Sequence, residues 1–332
     1  MSLKTNSFSL LGALVALGLT GCGVGAADVD PGSDPQAQGG QELLNAPVDS
    51  RDRWSVGVCA GALNTDATKG PLGACLEKGT RCTGSLIAPD LVLTARHCVN
   101  PIDYSQATGF CDGKFLDQPL STTPGAAVRI TTSLSTIVGK PEWREVEKIL
   151  TPANDRSCPG DLAILKLKRR VPWTAATPVR VDLRNLVTTA PKEVAVVGRG
   201  VIDETFDINT YEVLSSTEGG LKRRVLEHIP FVCVSDVAGK CVGADIGAPF
   251  QVDPGYFQIG QGTLSGDSGS GIVRQWWFER DRPLIIGVNS SGTVDPVTGK
   301  PNFGYATRLD KHRAFIKATI LASEPNSDAI VE

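Results

Sequence analysis

The chain has 332 residues, of which 21% are charged and 41% hydrophobic, and its formal net charge is −3. This is an ordinary globular balance, enough for one large domain or two small ones. No basic run is longer than the triplet at residues 168–170, so we expect no nucleic-acid partner. The 36 glycines and 21 prolines argue against a helical bundle and favour many short strands joined by turns.

The first 22 residues have the pattern of an export signal. Lys4 gives a positive end, and residues 8–19 form an apolar core of 12 residues. That core is too short for a transmembrane helix, which needs roughly 20 residues. Leu-Thr-Gly-Cys at residues 19–22 resembles the lipobox of bacterial lipoproteins, in which the cysteine is lipidated. We therefore expect lipidation at Cys22, with a plain secretory signal cut after residues 25–27 as the alternative.

The cysteine count supports this reading. There are nine cysteines, and removing Cys22 leaves eight, an even number that suits an oxidising compartment. Residues 23–48 are rich in Gly, Ala, Asp, Gln and Pro and lack apolar periodicity. Such a segment is either a flexible tether or a propeptide, and composition does not separate the two.

From Trp54 onward the sequence consists of short β-like runs punctuated by Gly, Pro, Asp or Asn. Examples are residues 54–58, 84–88, 91–95, 162–167, 193–198, 271–277 and 283–288. This pattern is typical of an all-β sandwich or barrel. A single helix is predicted near the C-terminus, where Leu309, Phe315, Ile316 and Ile320 fall near one helical face.

Three stretches carry residues that could act together. In residues 91–99, Leu-Val-Leu-Thr-Ala-Arg-His-Cys-Val, a predicted strand is followed by His97. In residues 161–167, Asp161 precedes an apolar strand. Residues 263–273 include the sequence Gly-Asp-Ser-Gly, which contains Ser268. Each alone is more often structural. A serine nucleophile needs a histidine to take its proton and a carboxylate to orient that histidine. It also needs backbone N–H donors for the oxyanion, which neighbouring glycines leave accessible.

The order His97, Asp161, Ser268 resembles that of the chymotrypsin family of serine proteases. Thr-Ala-Arg-His-Cys is similar to that family's Thr-Ala-Ala-His-Cys, Asp-Leu-Ala-Ile-Leu to its Asp-Ile-Ala-Leu-Leu, and Gly-Asp-Ser-Gly-Ser to its Gly-Asp-Ser-Gly-Gly. Cys82 and Cys98 are 16 residues apart, the spacing of the family's histidine-loop disulfide. Similar segments also lie at 196–200, 303–309 and 315–320, so the resemblance runs from about residue 54 to 321.

The resemblance implies an all-β fold of two antiparallel six-stranded β-barrels with a C-terminal helix and an active site between the barrels. The protease domain would span residues 49–322. The first barrel would cover about 49–180, the second 181–308 and the closing helix 309–321, followed by a loose tail at 323–332. His97 and Asp161 would come from the first barrel and Ser268 from the second.

The resemblance also assigns roles. Ser268 would attack the scissile carbonyl, His97 would accept its proton, Asp161 would orient His97, and the N–H groups of Gly266 and Ser268 would form the oxyanion hole. The substrate pocket would be lined by Gly262, Thr263, Ser290, Ser291, Gly292 and Gly304. Trypsin-like members carry an aspartate where this chain has Gly262, so we expect cleavage after an uncharged, apolar residue. Glutamyl endopeptidase-like specificity is the alternative, although Asn289 stands where those enzymes carry a histidine.

Two departures from the family concern activation and disulfides. Members liberate an N-terminal ammonium that pairs the aspartate before the nucleophile, here Asp267, but no Ile-Val-Gly-Gly precedes Trp54. Either cleavage between about Gln41 and Arg53 makes that N-terminus, or another cation such as an arginine replaces it. Leu264 stands where the family often has a cysteine. Beside Cys82–Cys98, the expected pairs are Cys59–Cys75 and Cys233–Cys241 from their short loops, which leaves Cys111–Cys158.

The sequence thus predicts an exported, lipid-tethered serine endopeptidase acting on protein or peptide substrates as a monomer. No cofactor is expected, and no metal site, because the zinc-type spacings of His and Cys do not occur. His228 and His312 are interpreted as structural or surface residues. The rival hypothesis is a non-catalytic lipoprotein that retains the barrels for binding.

Overall fold

The computed structural model describes residues 46–76, 81–107, 110–118, 120, 127–210, 212–236, 242–243 and 253–332. The predicted signal, Cys22 and the tether up to residue 45 lie outside these ranges, as does Cys241. No helix within the described ranges has the length and apolar character needed to cross a membrane.

The first half of the described chain is built from short strands. They are β1 (Ser55–Gly61), β2 (Arg81–Ala88), β3 (Leu91–Thr94), β4 (Ile102–Asp103), β5 (Lys114–Phe115), β6 (Ala127–Thr131), β7 (Trp143–Leu150) and β8 (Ala163–Leu167). Six of them close into an antiparallel barrel in the order β1-β2-β3-β8-β7-β6. β1 completes the ring by pairing with β2 on one side and β6 on the other, and all its residues are buried.

The second half repeats this architecture. Its strands are β9 (Arg180–Asp182), β10 (Glu193–Gly198), β11 (Asp203–Phe206), β12 (Val213–Thr217), β13 (Arg224–Val234), β14 (Val242–Gly243), β15 (Tyr256–Ile259), β16 (Gly271–Arg274), β17 (Leu284–Val294), β18 (Pro301–Arg308) and β19 (Ile330–Val331). Strands β16-β10-β13-β15-β18-β17 are hydrogen-bonded in that order, and pairing of β16 with β17 closes the ring. The predicted fold of two six-stranded antiparallel barrels is confirmed.

Helices are few and short in the described residues. They are α1 (Ser157–Gly160), α2 (Leu186–Thr189), α3 (Gln275–Phe278) and α4 (Arg313–Ser323), with 3-10 turns at Ala67–Lys69, Arg96–Cys98, Phe110–Asp112 and Asp310–His312. The predicted C-terminal helix therefore begins with a 3-10 turn and continues as α4, with Ile316 and Ile320 fully buried. The sequence predicted a continuous β-like run over 271–277, whereas β16 stops at Arg274 and α3 follows.

The C-terminal tail differs from the prediction of a loose segment. β19 pairs in parallel with β9, and Glu332 forms ion pairs with Arg313 and Lys317 of α4. Backbone pairing and these ion pairs hold the tail against the second barrel. The composition of the tail does not indicate this ordered position.

The N-terminal boundary also differs. The sequence predicts a tether or propeptide as far as residue 48, but Ala46 is 4% exposed and packs in an apolar cluster with Val201, Leu221 and Leu264. Its carbonyl oxygen accepts a 2.7 Å hydrogen bond from Arg224. The folded domain thus begins no later than Ala46.

The two barrels are joined by an apolar cluster and by direct hydrogen bonds. The largest cluster includes Val58 and Leu93 of the first barrel together with Val273 and Ile285 of the second. The Ser55 hydroxyl donates to the Val197 carbonyl oxygen at 2.9 Å. These contacts fix the relative position of the loops that carry the predicted site.

Candidate active site

His97 lies in the 3-10 turn that follows β3. The Cys82–Cys98 disulfide ties this turn to β2, and the Thr94 hydroxyl donates to the Thr83 carbonyl oxygen at 2.7 Å. The His97 side chain is 26% exposed, so one edge of the ring is open to solvent. The local sequence thus presents a histidine on a rigid turn at the end of a buried strand.

Asp161 holds this histidine by two contacts. Its Oδ2 lies 2.7 Å from His97 Nδ1, and its Oδ1 accepts the His97 backbone N–H at 2.9 Å. Asp161 is 3% exposed, at the end of the α1 turn that precedes β8. The pairing fixes Nδ1 as the protonated nitrogen when the ring is neutral, which leaves Nε2 as the acceptor.

Ser290 is a third partner of this pair. Its Oγ donates to Asp161 Oδ2 at 2.5 Å, and Asp161 is also bonded through its backbone, whose carbonyl oxygen accepts from Thr307. Burial alone would raise the pKa of Asp161, but the His97 charge and the hydrogen bonds from His97 and Ser290 lower it below its usual value. Burial would lower the pKa of His97, but Asp161 raises it. The aspartate is therefore ionised and the histidine is a stronger base than usual.

The Ser268 turn is shaped by glycines. Gly266 and Gly269 have φ of 97° and 84°, in the region that favours glycine. A Cβ on Gly269 would lie 2.1 Å from the Thr83 carbonyl oxygen, so no larger residue fits. Thr83 also donates its backbone N–H to the Ser268 carbonyl oxygen at 2.8 Å and its hydroxyl to that of Gly266 at 2.9 Å. Contacts from β2 thus hold this turn beside the turn of His97.

The N–H groups of the turn divide into two sets. Those of Asp267, Gly269 and Ser270 donate to backbone carbonyl oxygens. Those of Gly266 and Ser268 have no hydrogen-bond partner within the described residues. Two unpaired N–H groups, one from the partly exposed serine itself and one from the residue two positions before it, are the donors that an oxyanion requires.

Asp267 faces away from Ser268 into a closed pocket. Its Oδ1 accepts the Gly200 N–H at 2.7 Å and its Oδ2 the Leu264 N–H at 3.3 Å. A Cβ on Gly198 would lie 2.0 Å from Oδ1. No lysine or arginine side chain of the described residues pairs with Asp267, and burial raises its pKa to about 7 against the lowering effect of the backbone bonds.

Arg199 does not supply the missing cation. It is buried beside Gly200, but its guanidinium donates to the carbonyl oxygens of Ser133, Leu134 and Ser55 at 2.7 to 2.9 Å. The sequence left open that an arginine pairs with Asp267 in place of an N-terminal ammonium. No arginine of the described residues does so.

The residues predicted to form a substrate pocket lie on β17, β18 and the segment before Ser268. Gly292 of β17 pairs with Gly304 of β18, and Ser291 pairs with Tyr305. Thr263 Oγ1 donates to Asn289 Oδ1 at 3.0 Å, and Asn289 Nδ2 donates to the Asp267 carbonyl oxygen at 3.1 Å. A Cβ on Gly262 would lie 2.4 Å from that of Pro301, so this position has no room for an acidic side chain.

Three of the expected disulfides are present. Cys59–Cys75, Cys82–Cys98 and Cys111–Cys158 have Cα–Cα separations of 5.9, 6.0 and 4.6 Å. The fourth expected pair includes Cys241, outside the described residues. The sulfur atoms of Cys82 and Cys98 lie within 4.8 Å of a His97 ring nitrogen, but their disulfide leaves no thiolate to bind a metal.

The other histidines lie apart from this arrangement. His312 is 8% exposed, and its Nε2 contacts the Pro159 carbonyl oxygen at 2.9 Å. His228 is exposed, beside Glu193. Their surroundings fit the structural and surface roles expected of them.

The contact of Ser290 with Asp161 escaped the sequence reasoning, which placed Ser290 in the pocket wall. The two residues are 129 positions apart, and no spacing within either motif indicates their pairing. A buried serine next to a predicted pocket carries no signal of this kind by itself.

Comparison with known proteins agrees with this architecture. A search of curated proteins finds no match. The family model for trypsin, however, matches residues 61–316, which include most of both barrels and all three motifs. The chain therefore belongs to the trypsin family of chymotrypsin-like serine proteases.

Proposed function

We propose that the protein is an exported serine endopeptidase that hydrolyses peptide bonds through Ser268, His97 and Asp161. The observation that carries the proposal is the 2.7 Å contact of His97 Nδ1 with the buried Asp161, next to a serine turn with two unpaired N–H groups. A base, an orienting acid and oxyanion donors are the parts that acyl transfer to a serine requires.

The reaction follows from these parts. Ser268 Oγ attacks the scissile carbonyl carbon as its proton moves to His97 Nε2, and the N–H groups of Gly266 and Ser268 bind the resulting oxyanion. Collapse breaks the C–N bond, and His97 gives its proton to the leaving amine. Water then attacks the acyl-enzyme, with His97 again taking and returning a proton. Asp161 stabilises the imidazolium in both halves.

The proposed specificity is cleavage after an uncharged, apolar residue. Gly262 leaves no carboxylate to pair a basic substrate side chain, and the clash of any Cβ there with Pro301 keeps the position small. Asn289 is neutral, and both ends of its amide are hydrogen-bonded. No cation among these residues favours an acidic substrate side chain.

Hydrolysis of a peptide panel tests this specificity. Peptides that differ only in the residue before the scissile bond (Leu, Phe, Ala, Lys or Glu) are cleaved by the protein from residue 23 onward. We expect Leu and Phe to exceed Lys and Glu by at least about tenfold in kcat/KM, since burying an unpaired charge is unfavourable. Preference for Glu would favour the glutamyl-type alternative, and preference for Lys would refute both.

Activation is proposed to depend on the N-terminal segment. Ala46 lies in the same apolar cluster as Leu264, and the Leu264 N–H donates to Asp267, so the chain enters the folded domain on the side of the carboxylate that has no cationic partner among the described residues. Residues 49–53 are already engaged, since Asp49 pairs with buried Arg223 at 3.0 Å. Within the range in which an activating cleavage is expected, about residues 41–53, we therefore place the cleavage at or just before Ala46. The ammonium of the new N-terminus would then pair with Asp267.

Export and lipid anchoring at Cys22 are part of the proposal. Three disulfides suit an oxidising compartment outside the cytoplasm. Incorporation of a labelled fatty acid by the full chain, compared with Cys22→Ala, tests the anchor. Label lost in the variant supports lipidation, whereas a soluble product beginning after residue 27 supports plain secretion. The monomeric state remains a prediction that sedimentation can test.

A further inference from the structure

A buried tyrosine contacts the third partner of the His97–Asp161 pair. Tyr256, the first residue of β15, is 3% exposed. Its hydroxyl donates to the Ser157 carbonyl oxygen at 2.8 Å and lies 3.0 Å from Oγ of Ser290. Ser290 Oγ in turn lies 2.5 Å from Asp161 Oδ2. A continuous chain of hydroxyl groups thus leads from the second barrel to the carboxylate of the first.

Counting protons gives this chain a direction. An ionised carboxylate only accepts hydrogen bonds, so the single hydroxyl proton of Ser290 belongs to its contact with Asp161. The Ser290 oxygen is then an acceptor toward Tyr256. The one proton of Tyr256 is shared between Ser290 Oγ and the Ser157 carbonyl oxygen, which also holds the ring in place.

The chain keeps this direction over the working pH range. Burial, with a contribution from the Asp161 charge, raises the pKa of Tyr256 well above its ordinary value, so the hydroxyl stays a donor. Among the described residues, other groups with an electrostatic interaction with Asp161 include His97, Arg96 and Tyr104. Asp253 is a further charge near Tyr256.

We propose that Tyr256 is a positioning residue that acts through Ser290 to hold and polarise Asp161 for its work on His97. Linked hydrogen bonds strengthen one another in a buried setting. Donation along the chain draws some negative charge on Asp161 away from His97, which moderates the His97 pKa. It also fixes the carboxylate plane, and this fixed orientation is the part that supports catalysis. This role rests on the proposed function, because it concerns the same site.

The test compares wild type with Tyr256→Phe, Ser290→Ala, their double variant, and Tyr305→Phe. Tyr305, on the neighbouring strand β18, is the matched control, since its hydroxyl bonds to Gln258 at 3.2 Å and lies outside the chain. Two experiments are made on each protein. The first measures kcat and KM as a function of pH, with the enzyme concentration taken from active-site titration. The second measures the His97 pKa by NMR of its imidazole ring. Unfolding curves check that each variant is folded.

We expect Tyr256→Phe to lower kcat by about threefold to fivefold, the effect of one hydrogen bond, while KM changes less. More charge on Asp161 then faces His97, so the His97 pKa and the acidic limb move to higher pH. Ser290→Ala should move both further in the same direction. The double variant should match Ser290→Ala, because Tyr256 acts only through Ser290. Tyr305→Phe should leave both unchanged.

Several results would overturn this role. They are an unmoved His97 pKa in Tyr256→Phe, an unmoved one in Ser290→Ala, or effects that add fully in the double variant. Should Tyr256→Phe not fold, the Ser290→Ala measurement still decides whether hydroxyl donation to Asp161 tunes His97. If the variants shift the His97 pKa as expected but the wild-type protein hydrolyses no peptide, even when its chain begins at Ala46, the hydrogen-bond chain is supported and the proposed function is contradicted.

Discussion

Asp161 and Asp267 are both almost completely buried, yet their surroundings move their pKa values in opposite directions. Asp161 faces His97 and the Ser290 hydroxyl, and their hydrogen bonds keep it ionised. Asp267 receives backbone N–H groups alone among the described residues, and burial raises its pKa to about 7. The contrast shows that burial does not set the charge of a carboxylate; its partners do.

The same contrast separates two stages of the site. The Asp161 side is complete in the unprocessed chain, with every group of the hydrogen-bond chain present. The Asp267 side has a carboxylate in a pocket cleared by Gly198 and Gly200 and no cation from the described residues. An ammonium beside Asp267 would allow this carboxylate to be ionised, as Asp161 already is, because a buried charge is costly unless it is paired.

The largest effect is expected at the complete side. Asp161→Asn should lower kcat by about 10⁴-fold, the cost of the wrong histidine tautomer in a Ser-His-Asp arrangement. Steady-state hydrolysis with active-site titration measures it. Asp295→Asn, which alters a partly exposed turn aspartate bonded to the N–H groups of Val297 and Thr298, is the control and should match wild type. A loss below tenfold in Asp161→Asn would argue against its orienting role.

The second effect is on the free energy of unfolding and arises from Asp267, the carboxylate without a cationic partner among the described residues. The Asp267 pKa is about 7 in the fold, above the 3.8 of an unperturbed group. The fold therefore binds the proton more tightly than the unfolded chain, and stability falls as pH rises between these values. We expect a loss of a few kcal/mol at most, about 1.36 per pKa unit, in urea unfolding of the chain from residue 23.

Two matched proteins sharpen this prediction. Asp267→Asn should remove the pH-dependent part, because the group no longer ionises. A chain beginning at Ala46 should remove it as well if its ammonium reaches Asp267, whereas the same chain with an acetylated N-terminus should not. Identical pH dependence in wild type and Asp267→Asn would contradict the proposed state of this carboxylate.

The smallest effect concerns the His97 base. Asp161 raises the pKa of His97 above 6.5, and only the neutral ring accepts the Ser268 proton. As the pH is lowered, kcat/KM for an uncharged substrate should therefore begin to decrease while the pH is still above 6.5. Well below the His97 pKa it should decrease about tenfold for each further pH unit. Stopped assays across this range measure the profile. A rate that is flat from about pH 5 to 8 would exclude His97 as the base.

The sequence was sufficient for the fold and for the principal motifs. His97, Asp161 and Ser268 each lie in a short local pattern at a strand end, and strand-like runs with frequent turn residues describe most of both barrels. Three disulfides agree with the expected pairs: Cys82–Cys98 was indicated by its spacing and Cys59–Cys75 by its short loop, and Cys111–Cys158 was the pair left over.

What the sequence could not predict depends on contacts between distant segments. Ser290 reaches Asp161 from a strand of the other barrel, Tyr256 reaches Ser290 from the same barrel, and nothing local marks either of them. The space around Asp267 is made by glycines about 70 positions earlier in the chain. Ala46 lies in a polar, low-complexity stretch, so its burial against Leu264 depends entirely on tertiary packing.

The most direct test of the account is fluorophosphonate labelling of the protein from residue 23 onward, beside Ser268→Ala, with the adduct located by mass spectrometry. The probe reacts only with a serine whose proton a base can take. The account predicts labelling at Ser268, at a rate that rises when the chain begins at Ala46, and none in the variant. Labelling at another serine, or no labelling of either chain, would contradict it.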